Sequence, residues 1–574
     1  MSNPHTVLVV HNHYQQRGGE DSVFETECAM LEAAGHVVIR YEKHNDEIGD
    51  QRLAASGQRL EAPTAQVLGT RYQVLANTQF PKKDNPQALA PSPYHLAPSS
   101  TPTHPHTHTL PPQPSSQSCQ SCNPVKKTFR VFSCFSWLKK LSLFSKTIWN
   151  SRTYREITAL IKRHHPDIVH CHNTFPLISP SVYWAAARQG VPVVQTLHNY
   201  RLVCINPYLY RNGRICEDCL GHSPLPGVIH RCYRNSFSAS FTVATMLVIH
   251  RLLGTYRNKV TTYIALTEFG RRKFLEARLC DPAKVVVKPN AVSAMAVPAE
   301  VLGTRYQVLA NTQSTSKDSP EALAPSRYSL AAEHGRGGTT TVLYVGRLSP
   351  EKGVDILIAA WKLFLAQQDD KRLAASPSAR CATADKSGQR LDRQENRNDS
   401  SATLVPSTYH LVPKAQPRLH IIGDGPERAA LEAAARGIPS IEFSGRIPHD
   451  QIASHMRSAT VLVLPTRCYE MFAITPLEAM QIGLPVILSE SAAAGSIITN
   501  RESGLVFENE NPQSLATVLG ESLFTDTKLL EQIRQRAMQS LEKSCCDRMK
   551  NIEQLTTIYA HLIATQTNQG DWHD

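Results

Sequence analysis

The sequence predicts an α/β protein built from two doubly wound, Rossmann-like domains that follow one another along the chain. Short continuous apolar runs such as TVLVV (6–10) and TVLYVG (341–346) recur in both halves, as expected of parallel strands buried on both faces. Segments with helical periodicity lie between these runs, for example at 153–163 and 448–457. This alternation indicates parallel sheets covered by helices, with a ligand crevice at the carboxyl ends of the strands.

The other predicted elements continue the same alternation in each half. Further strands are predicted at 167–170, 191–197, 262–267, 284–288, 418–423, 441–445, 460–465 and 485–489, and further helices at 21–34, 353–365 and 427–435. We therefore divide the chain into an N-terminal domain (1–287), a C-terminal domain (288–550) and a C-terminal helix (551–574). The last helix is expected to pack back on the N-terminal domain.

Repeated segments account for much of the length of 574 residues, which exceeds what two ordinary domains need. The segment VLGTRYQVLANTQ occurs twice, at 67–79 and at 301–313. Three tracts, at about 51–124, 296–338 and 371–416, are rich in Pro, Ser, Thr, Ala and Gln and have little apolar periodicity. We interpret them as low-complexity repeat insertions in surface loops. Recurring docking peptides or linkers are the alternative.

The net charge of +12 raises the question of a nucleic-acid or membrane partner. Most of this charge lies in the three tracts and in residues 125–146, which carry six basic residues and no acidic one. The rest of the chain is nearly neutral, which argues against nucleic acid. Residues 125–149 interleave bases with aromatic side chains, a pattern typical of a helix on an anionic membrane surface. A core helix with a solvated basic face is the alternative.

The sequence predicts a cytoplasmic protein, either free or peripheral on the inner face of the membrane. The longest apolar stretch, 241–253, is interrupted by His250 and Arg251 and falls short of the about 20 residues that a membrane span needs. The N-terminus lacks the basic and apolar regions of a secretory signal. Without export, most of the 14 cysteines are expected to be reduced thiols.

Four of these cysteines lie close together in a segment rich in Gly, Pro and Arg. Cys204, Cys216, Cys219 and Cys232 have the spacing C-x11-C-x2-C-x12-C. A C-x2-C pair flanked by two more cysteines suits a small tetrahedral zinc site that would fold a long loop. Ordinary reduced cysteines are the alternative.

Two motifs, one with paired glycines and one with two basic residues, each lie between a predicted strand and the following helix. Gly18 and Gly19 precede the first helix, where a phosphate or sugar can approach free N–H groups and the positive end of the helix dipole. In VGRLSPEKG (345–353), Arg347 and Lys352 occupy the corresponding place in the second half. Two fixed cations at such a position suit a diphosphate, whereas solvated loop charges are the alternative.

A pair of glutamates follows the predicted strand VLVLP. Glu470 lies in the loop after this strand, and Glu478 lies in the helix that follows, with Thr475 expected as its N-cap. Carboxylates so placed can accept hydrogen bonds from sugar hydroxyls and from a ribose diol. A structural pair of glutamates is the alternative.

Taken together, these motifs resemble the retaining glycosyltransferases of family 4, which have the GT-B fold and use nucleotide-sugars. The matching segments occur in the order found in that family and cover nearly everything outside the inserted tracts. They are GGED (18–21), PDIVHCHN (166–173), TLHNYRL (196–202), ALTEF (265–269), VGRLSPEKG (345–353), IIGDGPE (421–427), SGRIPHDQI (444–452) and the glutamate pair.

The resemblance implies a role for each motif. Arg347 and Lys352 would bind the donor's diphosphate and stabilise the leaving nucleoside diphosphate. Glu470 would contact the transferred sugar, Glu478 would contact the ribose hydroxyls, and His198 would approach the sugar at the reacting centre. Further donor-binding positions implied by the resemblance are Gly18, Gly19, Gly423, Gly425, Arg446, Ile447, Phe472, Ala473 and Ile474.

The resemblance also implies transfer to a saccharide or lipid-linked acceptor, with retention of configuration and with no metal required for catalysis. The cationic pair and a helix dipole would replace the metal. The family commonly has Gly-Phe-Gly after the first glutamate, where this chain has Met471, Phe472 and Ala473. With the insertions, this departure leaves a second hypothesis, a catalytically impaired homologue that only binds a nucleotide-sugar or a protein partner.

Overall fold

The computed structural model describes residues 4–14, 18–45, 72–74, 142–292, 340–375, 416–525, 527–544 and 546–570. Every strand and helix named below lies in one contact unit, Met1–Val74 with Leu143–Asp574. The three repeat tracts lie outside the described residues except for 72–74, 371–375 and residue 416, and residues 125–141 of the basic segment also lie outside them.

The first domain is built on a seven-stranded sheet with the order β3-β2-β1-β4-β5-β8-β9. All neighbours pair in parallel except β3, which runs antiparallel to β2. The strands are β1 (Thr6–His13), β2 (Val37–His44), β3 (Tyr72–Val74), β4 (Ile168–Asn173), β5 (Val193–Leu197), β8 (Thr262–Ala265) and β9 (Val285–Val287). A separate hairpin consists of β6 (Tyr210–Arg211) and β7 (Arg214–Ile215).

Helices of this domain alternate with its strands as parallel pairing requires. They are α1 (Gly19–Ala33), α2 (Ser151–His164), α3 (Ser181–Arg188), α4 (Leu225–Ile229), α5 (Phe237–Leu252), α6 (Thr255–Asn258) and α7 (Glu268–Glu276). Several begin at residues that satisfy free backbone N–H groups: Asn150 caps α2, Ser236 caps α5 and Thr267 caps α7.

The second domain is built on a six-stranded, all-parallel sheet with the order β12-β11-β10-β13-β14-β15. Its strands are β10 (Thr341–Val345), β11 (Arg418–Ile422), β12 (Ile441–Gly445), β13 (Val461–Leu464), β14 (Val486–Ser489) and β15 (Leu505–Phe507). Its helices are α8 (Val354–Ala375), α9 (Arg428–Ala434), α10 (His449–Ser458), α11 (Ile474–Gln481), α12 (Glu490–Ala494), α13 (Pro512–Gly520) and α14 (Thr527–Lys543).

These two sheets confirm the predicted α/β class with two Rossmann-like domains. Strand order reverses between β1 and β4 in the first sheet and between β10 and β13 in the second. A doubly wound sheet opens a crevice at the carboxyl ends of its strands where the order reverses. The loops after these four strands are therefore the first places to look for a site.

The final helix, α15 (Arg548–Gly570), packs on the first domain. Its apolar side chains Leu555 and Tyr559 belong to the same buried cluster as Val7 and Phe24. The Tyr559 hydroxyl lies 2.6 Å from Nδ1 of His170 on β4. The chain thus returns to the first sheet after completing the second.

Two predictions about the inserted tracts are wrong, one inside the first tract and one at the start of the third. Residues 72–74, inside the first tract, form an edge strand rather than a loop. The helix predicted to end near Leu365 continues to Ala375, so the start of the third tract is helical. The described residues contain no helix that is both long and apolar enough to cross a membrane, and α5 includes most of the apolar stretch 241–253.

Candidate active site

The crevice of the second domain is formed by the loops that follow β10, β11 and β13. Two of these loops pack with almost no space between their backbones. A Cβ added at Gly423 would lie 1.8 Å from the carbonyl oxygen of Gly346, and one at Gly425 would lie 2.2 Å from that of Leu348. The Leu348 amide donates to the Asp424 carbonyl at 3.0 Å. Glycine at 423 and 425 therefore holds the loop that carries Arg347 in place.

At the centre of this crevice, Lys352 pairs with Glu470. The Lys352 Nζ lies 2.5 Å from Oε1 of Glu470, and the Thr466 hydroxyl donates to the same oxygen at 3.1 Å. The two side chains are 24% and 15% exposed, so both can reach a ligand. Burial alone would lower the pKa of Lys352, but the neighbouring Glu470 carboxylate outweighs burial and raises that pKa. The ammonium group is therefore charged throughout the physiological pH range.

Backbone turns set the position of both partners in this pair. Gly353 has a φ of 65°, and a Cβ there would lie 2.1 Å from the Pro465 carbonyl oxygen. The turn that presents Lys352 is thus in backbone contact with the loop that presents Glu470. Arg347 lies exposed in the loop after β10, and its carbonyl accepts a hydrogen bond from the Tyr344 hydroxyl at 2.9 Å.

Gly495 packs against the backbone of Glu470, and this contact gives a first testable prediction. A Cβ at residue 495 would lie 1.6 Å from the Glu470 carbonyl oxygen, a distance that forces the loop to move. Gly495→Ala is expected to reduce turnover about 10²-fold, since a displacement of about 1 Å in positioned groups costs that much. Gly520→Ala is the matched control, because a Cβ at 520 meets nothing within 4 Å. Steady-state kinetics with circular dichroism would check this; unchanged turnover in a folded Gly495→Ala protein would contradict it.

The second glutamate lies in the middle of α11. Glu478 is buried, and its Oε1 lies 3.0 Å from Nε2 of His449, a residue of α10 that directly follows the turn containing Arg446 and Ile447. The expected N-cap is wrong: α11 begins at Ile474 with Ala473 in the capping position and no side-chain cap. The N–H groups of its first turn are therefore not capped by a side chain, and an anion could accept from them.

The opposite wall of the site comes from the first domain. Gly19 begins α1, and a Cβ there would lie 3.7 Å from Cδ1 of Ile474. The Gly18 N–H donates to Oδ2 of Asp21 at 2.8 Å. The first turns of α1 and α11 thus face each other, with the glycines allowing a close approach.

His198 follows β5 and is partly exposed. Its Nε2 lies 2.9 Å from Nδ1 of His172, which lies on the neighbouring strand β4. Burial holds the pKa of His198 well below its usual range, and the nearby His172 and His11 lower it further. His198 is therefore a neutral imidazole at physiological pH, suited to a hydrogen bond with an uncharged hydroxyl.

Three groups of His and carboxylate side chains in the first domain have ligand atoms within 4.8 Å of one another. They are His11, His13 and Asp21; His13, Glu42 and His44; and Glu27, His170 and His172. In the last group a cation is already present, because Nζ of Lys288 lies 3.2 Å from Oε2 of Glu27. In the other two, His13 contacts Asp21 and Glu42 through its two ring nitrogens. We interpret these groups as structural ion-pair networks.

The network around His13 gives a pH prediction. Burial alone would lower the pKa of His13, but hydrogen bonds with Asp21 and Glu42 outweigh burial and raise it to about 9. The stabilisation that these ion pairs give the folded protein is fully present below the pKa of histidine in the unfolded chain, about 6.5. It is lost as the pH rises toward 9.

The free energy of unfolding is therefore expected to fall between pH 6.5 and pH 9, with His13 contributing on the order of 3 kcal/mol. His13→Gln should flatten this fall, whereas replacement of the partly exposed His164 by Gln should not. Urea denaturation at three pH values measures the effect, and identical slopes for wild type and His13→Gln would contradict it.

Sequence reasoning missed a polar group at the mouth of the first domain's crevice. Nδ2 of Asn199 donates to Oε1 of Glu20 at 2.6 Å, and the Tyr14 hydroxyl lies 3.4 Å from the same nitrogen. Asn199 and Arg201, with His198, line a cavity of about 430 Å³. The motifs GGED (18–21) and TLHNYRL (196–202) could have indicated this pair. The first follows β1 and the second begins at the end of β5, and both strands are neighbours of β4 in the sheet.

The four predicted cysteines lie on this same side of the first domain. Cys204, Cys216, Cys219 and Cys232 all line one cavity of about 300 Å³, and all four are free of disulfides. The structure thus brings together every residue of that group. It likewise brings the predicted residues Lys352, Glu470 and Gly19 to one cleft.

Two family models match the chain, one in each domain. Residues 144–291 match the "Glycosyl transferase 4-like domain", and residues 390–523 match "Glycosyl transferases group 1". The fold is similar to that of a sucrose-phosphate synthase from Thermosynechococcus elongatus, with a TM-score of 0.51, 14% identity and coverage of 98% of this chain and 100% of that one. Both family matches are to glycosyl transferase domains, and the likeness to the solved structure is one of fold.

The chain is similar to parts of two proteins named as transferases. The chain is 30% identical to sulfoquinovosyl transferase SQD2 of Arabidopsis thaliana over 148 residues, which is 25% of this chain and 28% of that protein. It is 27% identical to a D-inositol 3-phosphate glycosyltransferase of Acidothermus cellulolyticus over 183 residues, 32% of this chain and 33% of that protein. The matched segments therefore span about a third of these relatives or less.

Proposed function

We propose that the protein transfers a sugar from a nucleotide-sugar donor to a saccharide or lipid-linked acceptor, with retention of anomeric configuration. The observation that carries this proposal is the corner formed by Lys352 and Glu470, in which a fixed cation and a carboxylate face the same crevice 2.5 Å apart. The family models found in both domains give independent support.

The leaving diphosphate would occupy the end of the crevice near Lys352 and Arg347. Both residues lie in the loop after β10, and the first turn of α11 opens toward the same crevice. Charge develops on the diphosphate as the glycosidic bond opens, and cations fixed in advance stabilise it without reorganisation. A metal is therefore not required for this step in the proposal.

The other donor groups follow from that placement. Glu470 would accept hydrogen bonds from the sugar, and Glu478, held by His449, would accept from the ribose hydroxyls. The base would lie against the backbone of Gly423–Gly425 and beside Arg446 and Ile447. Neutral His198 would contact the sugar from the opposite wall, near Gly19.

The acceptor would enter from the first domain. The cavity lined by His198, Asn199 and Arg201 offers amide and guanidinium donors to hydroxyl groups. Glycosidic bond opening and attack from the same face would give retention without a covalent enzyme intermediate. The leaving phosphate oxygen can take the proton from the acceptor hydroxyl.

A peripheral location on the inner, cytoplasmic face of a membrane is part of the proposal. Most of the basic segment 125–149 lies outside the described residues, but α5 offers separate support. Its exposed Phe237, Phe241, Val248 and Leu252 are spaced four, seven and four residues apart, which places them along one helix face. Such a row suits contact with lipid, and a lipid-linked acceptor would then lie near the first domain's crevice.

The alternative, a homologue that only binds a nucleotide-sugar or a protein partner, rests on the three insertions together with Met471 and Ala473. Met471 is buried, and its Cε lies 3.1 Å from the position of a Cβ at Gly270 on α7. Its side chain therefore fills the space between the domains, and a glycine on α7 accommodates it. Ala473 occupies the capping position of α11.

A donor panel tests the proposal. Full-length protein would be incubated with UDP-, GDP-, ADP- and dTDP-sugars, and release of nucleoside diphosphate would be measured with and without saccharide or lipid acceptors. The expected result is release from at least one donor, with a product whose anomeric proton shows retention by NMR. A folded protein that binds a donor and releases nothing would support the binder, and inversion would contradict the proposed stereochemistry.

A further inference from the structure

Four cysteines from three separate stretches of the first domain meet around one cavity. Cys204 follows the helical turn Tyr200–Leu202, Cys216 and Cys219 follow the hairpin β6–β7, and Cys232 follows α4. All four line the same cavity of about 300 Å³. Residues 28 positions apart in sequence are thus directed to one place.

Local hydrogen bonds fix the backbone of this region at three of the four cysteines. The amide of Cys204 donates to Tyr200 at 2.8 Å, that of Cys216 to Leu209 at 2.8 Å and that of Cys232 to Gly227 at 2.9 Å. Tight turns with positive φ occur at Leu209, Asn212, Gly213, Gly221 and Arg231. The region has little regular secondary structure of its own, so a crosslink between its turns would stabilise it strongly.

The four side chains are thiols that line one cavity. All are free of disulfides, and Cys204 and Cys219 are buried. A bound cation stabilises thiolates, so metal binding at this cavity would release the thiol protons.

Two arginines supply the positive surroundings that a cluster of thiolates needs. Arg211 lines the cavity and pairs with Asp218 at 2.9 Å, and Nη1 of Arg251 donates at 3.0 Å to the carbonyl of His222, three residues after Cys219. Among the described residues, Nη1 of Arg211 and Nη2 of Arg251 are buried side-chain nitrogens without a hydrogen-bond partner. Metal-bound thiolates accept such hydrogen bonds and would satisfy them.

We propose that Cys204, Cys216, Cys219 and Cys232 bind one structural zinc ion as four thiolates. Four sulfur ligands with a C-x2-C pair are a donor set that zinc favours, with bonds of about 2.3 Å in a tetrahedron. The group is more open than the three His and carboxylate groups whose ligand atoms already lie within 4.8 Å. Binding therefore draws the three stretches inward and releases thiol protons.

The zinc-bound loop would shape the cleft without taking part in the reaction. Tyr208 and Tyr210 lie between Cys204 and Cys216, and the Tyr210 hydroxyl lies 3.4 Å from the Pro350 carbonyl of the second domain. Pro350 belongs to the same turn as Lys352. Zinc thus fixes the part of the first domain that contacts the loop bearing the cationic pair.

Metal analysis of the full chain tests the proposal. Protein produced with zinc in the medium is expected to contain about one zinc per chain by mass spectrometry of the metal, and a mercurial thiol reagent should release it. The double variant Cys216→Ser/Cys219→Ser should lose at least ten-fold in zinc content. Cys280→Ser, a free cysteine outside the group, is the matched control and should keep its zinc.

Wild-type measurements decide the matter even where the double variant fails to fold. Folded wild-type protein with far less than one zinc per chain, which also takes up none when zinc is added, would overturn the proposal. Two disulfides among the four cysteines, detected by mass spectrometry, would overturn it as well. The readout is metal content, so the result is independent of any transferase activity.

Discussion

Lys352→Ala is expected to lower turnover of the donor by about 10²- to 10³-fold, the usual effect of removing one preorganised group that stabilises developing charge. Lys352 is the partner of Glu470 at 2.5 Å, and its turn is held against the next loop by Gly353. Its loss removes a fixed cation and also leaves the Glu470 carboxylate without it. In the variant, the donor's diphosphate would lie beside an unpaired carboxylate. In wild type it would lie beside an ion pair whose charges balance.

Kinetics with separate kcat and KM measure this effect. The fall is expected mainly in kcat, since the charge on the leaving group is greatest in the transition state. Lys362→Ala, on the exposed side of α8, is the control and should retain wild-type turnover. A Lys352→Ala protein that is folded and within three-fold of wild type would contradict the role assigned to this lysine.

Lys288→Met is expected to destabilise the protein by about 3–5 kcal/mol, because it leaves a buried carboxylate without its cation. Lys288 lies just after β9 and is 2% exposed, and its Nζ contacts Oε2 of Glu27 on α1. Oε1 of Glu27 lies 3.1 Å from nitrogens of both His170 and His172. Burial alone would raise the pKa of Glu27, but Lys288 and the two histidines outweigh it and hold that pKa well below its usual range.

Urea denaturation of three variants separates this ion pair from a simple loss of packing. The double variant Lys288→Met/Glu27→Gln should recover part of the stability, because it removes the unpaired charge as well. Lys162→Met, an exposed lysine of α2, should unfold like wild type. A loss below about 1 kcal/mol in Lys288→Met, the range of an exposed ion pair, would show that Glu27 does not need its cation.

Most of the fold could be predicted because strands buried on both faces leave a plain signal. Runs such as 418–423 and 485–489 contain the observed strands β11 and β14 to within one residue at each end. Strand β2 was not predicted because Arg40, Glu42 and Lys43 interrupt its apolar run. Those charges are satisfied by tertiary partners, such as Glu32 for Arg40, which the local sequence cannot reveal.

The site was predictable where a motif directly follows a strand. Lys352, Glu470 and Gly19 were found in this way, because the carboxyl ends of parallel strands meet at one edge of the sheet. The pair of Asn199 with Glu20 could not be found, since the two residues are 179 positions apart and meet through the packing of α1. Thr475 fits the preferred residue types for a helix cap, yet the helix begins one residue before it.

Binding of free nucleoside diphosphates to the full chain tests most directly whether the crevice at Lys352 and Glu470 is a nucleotide-sugar site. Isothermal titration of UDP, GDP, ADP and dTDP into wild type and Lys352→Ala measures it without knowledge of the sugar or acceptor. The account predicts that at least one diphosphate binds wild type with a 1:1 stoichiometry and binds Lys352→Ala at least ten-fold more weakly. Folded wild-type protein that binds none of them, or that binds one equally well after loss of Lys352, would contradict it.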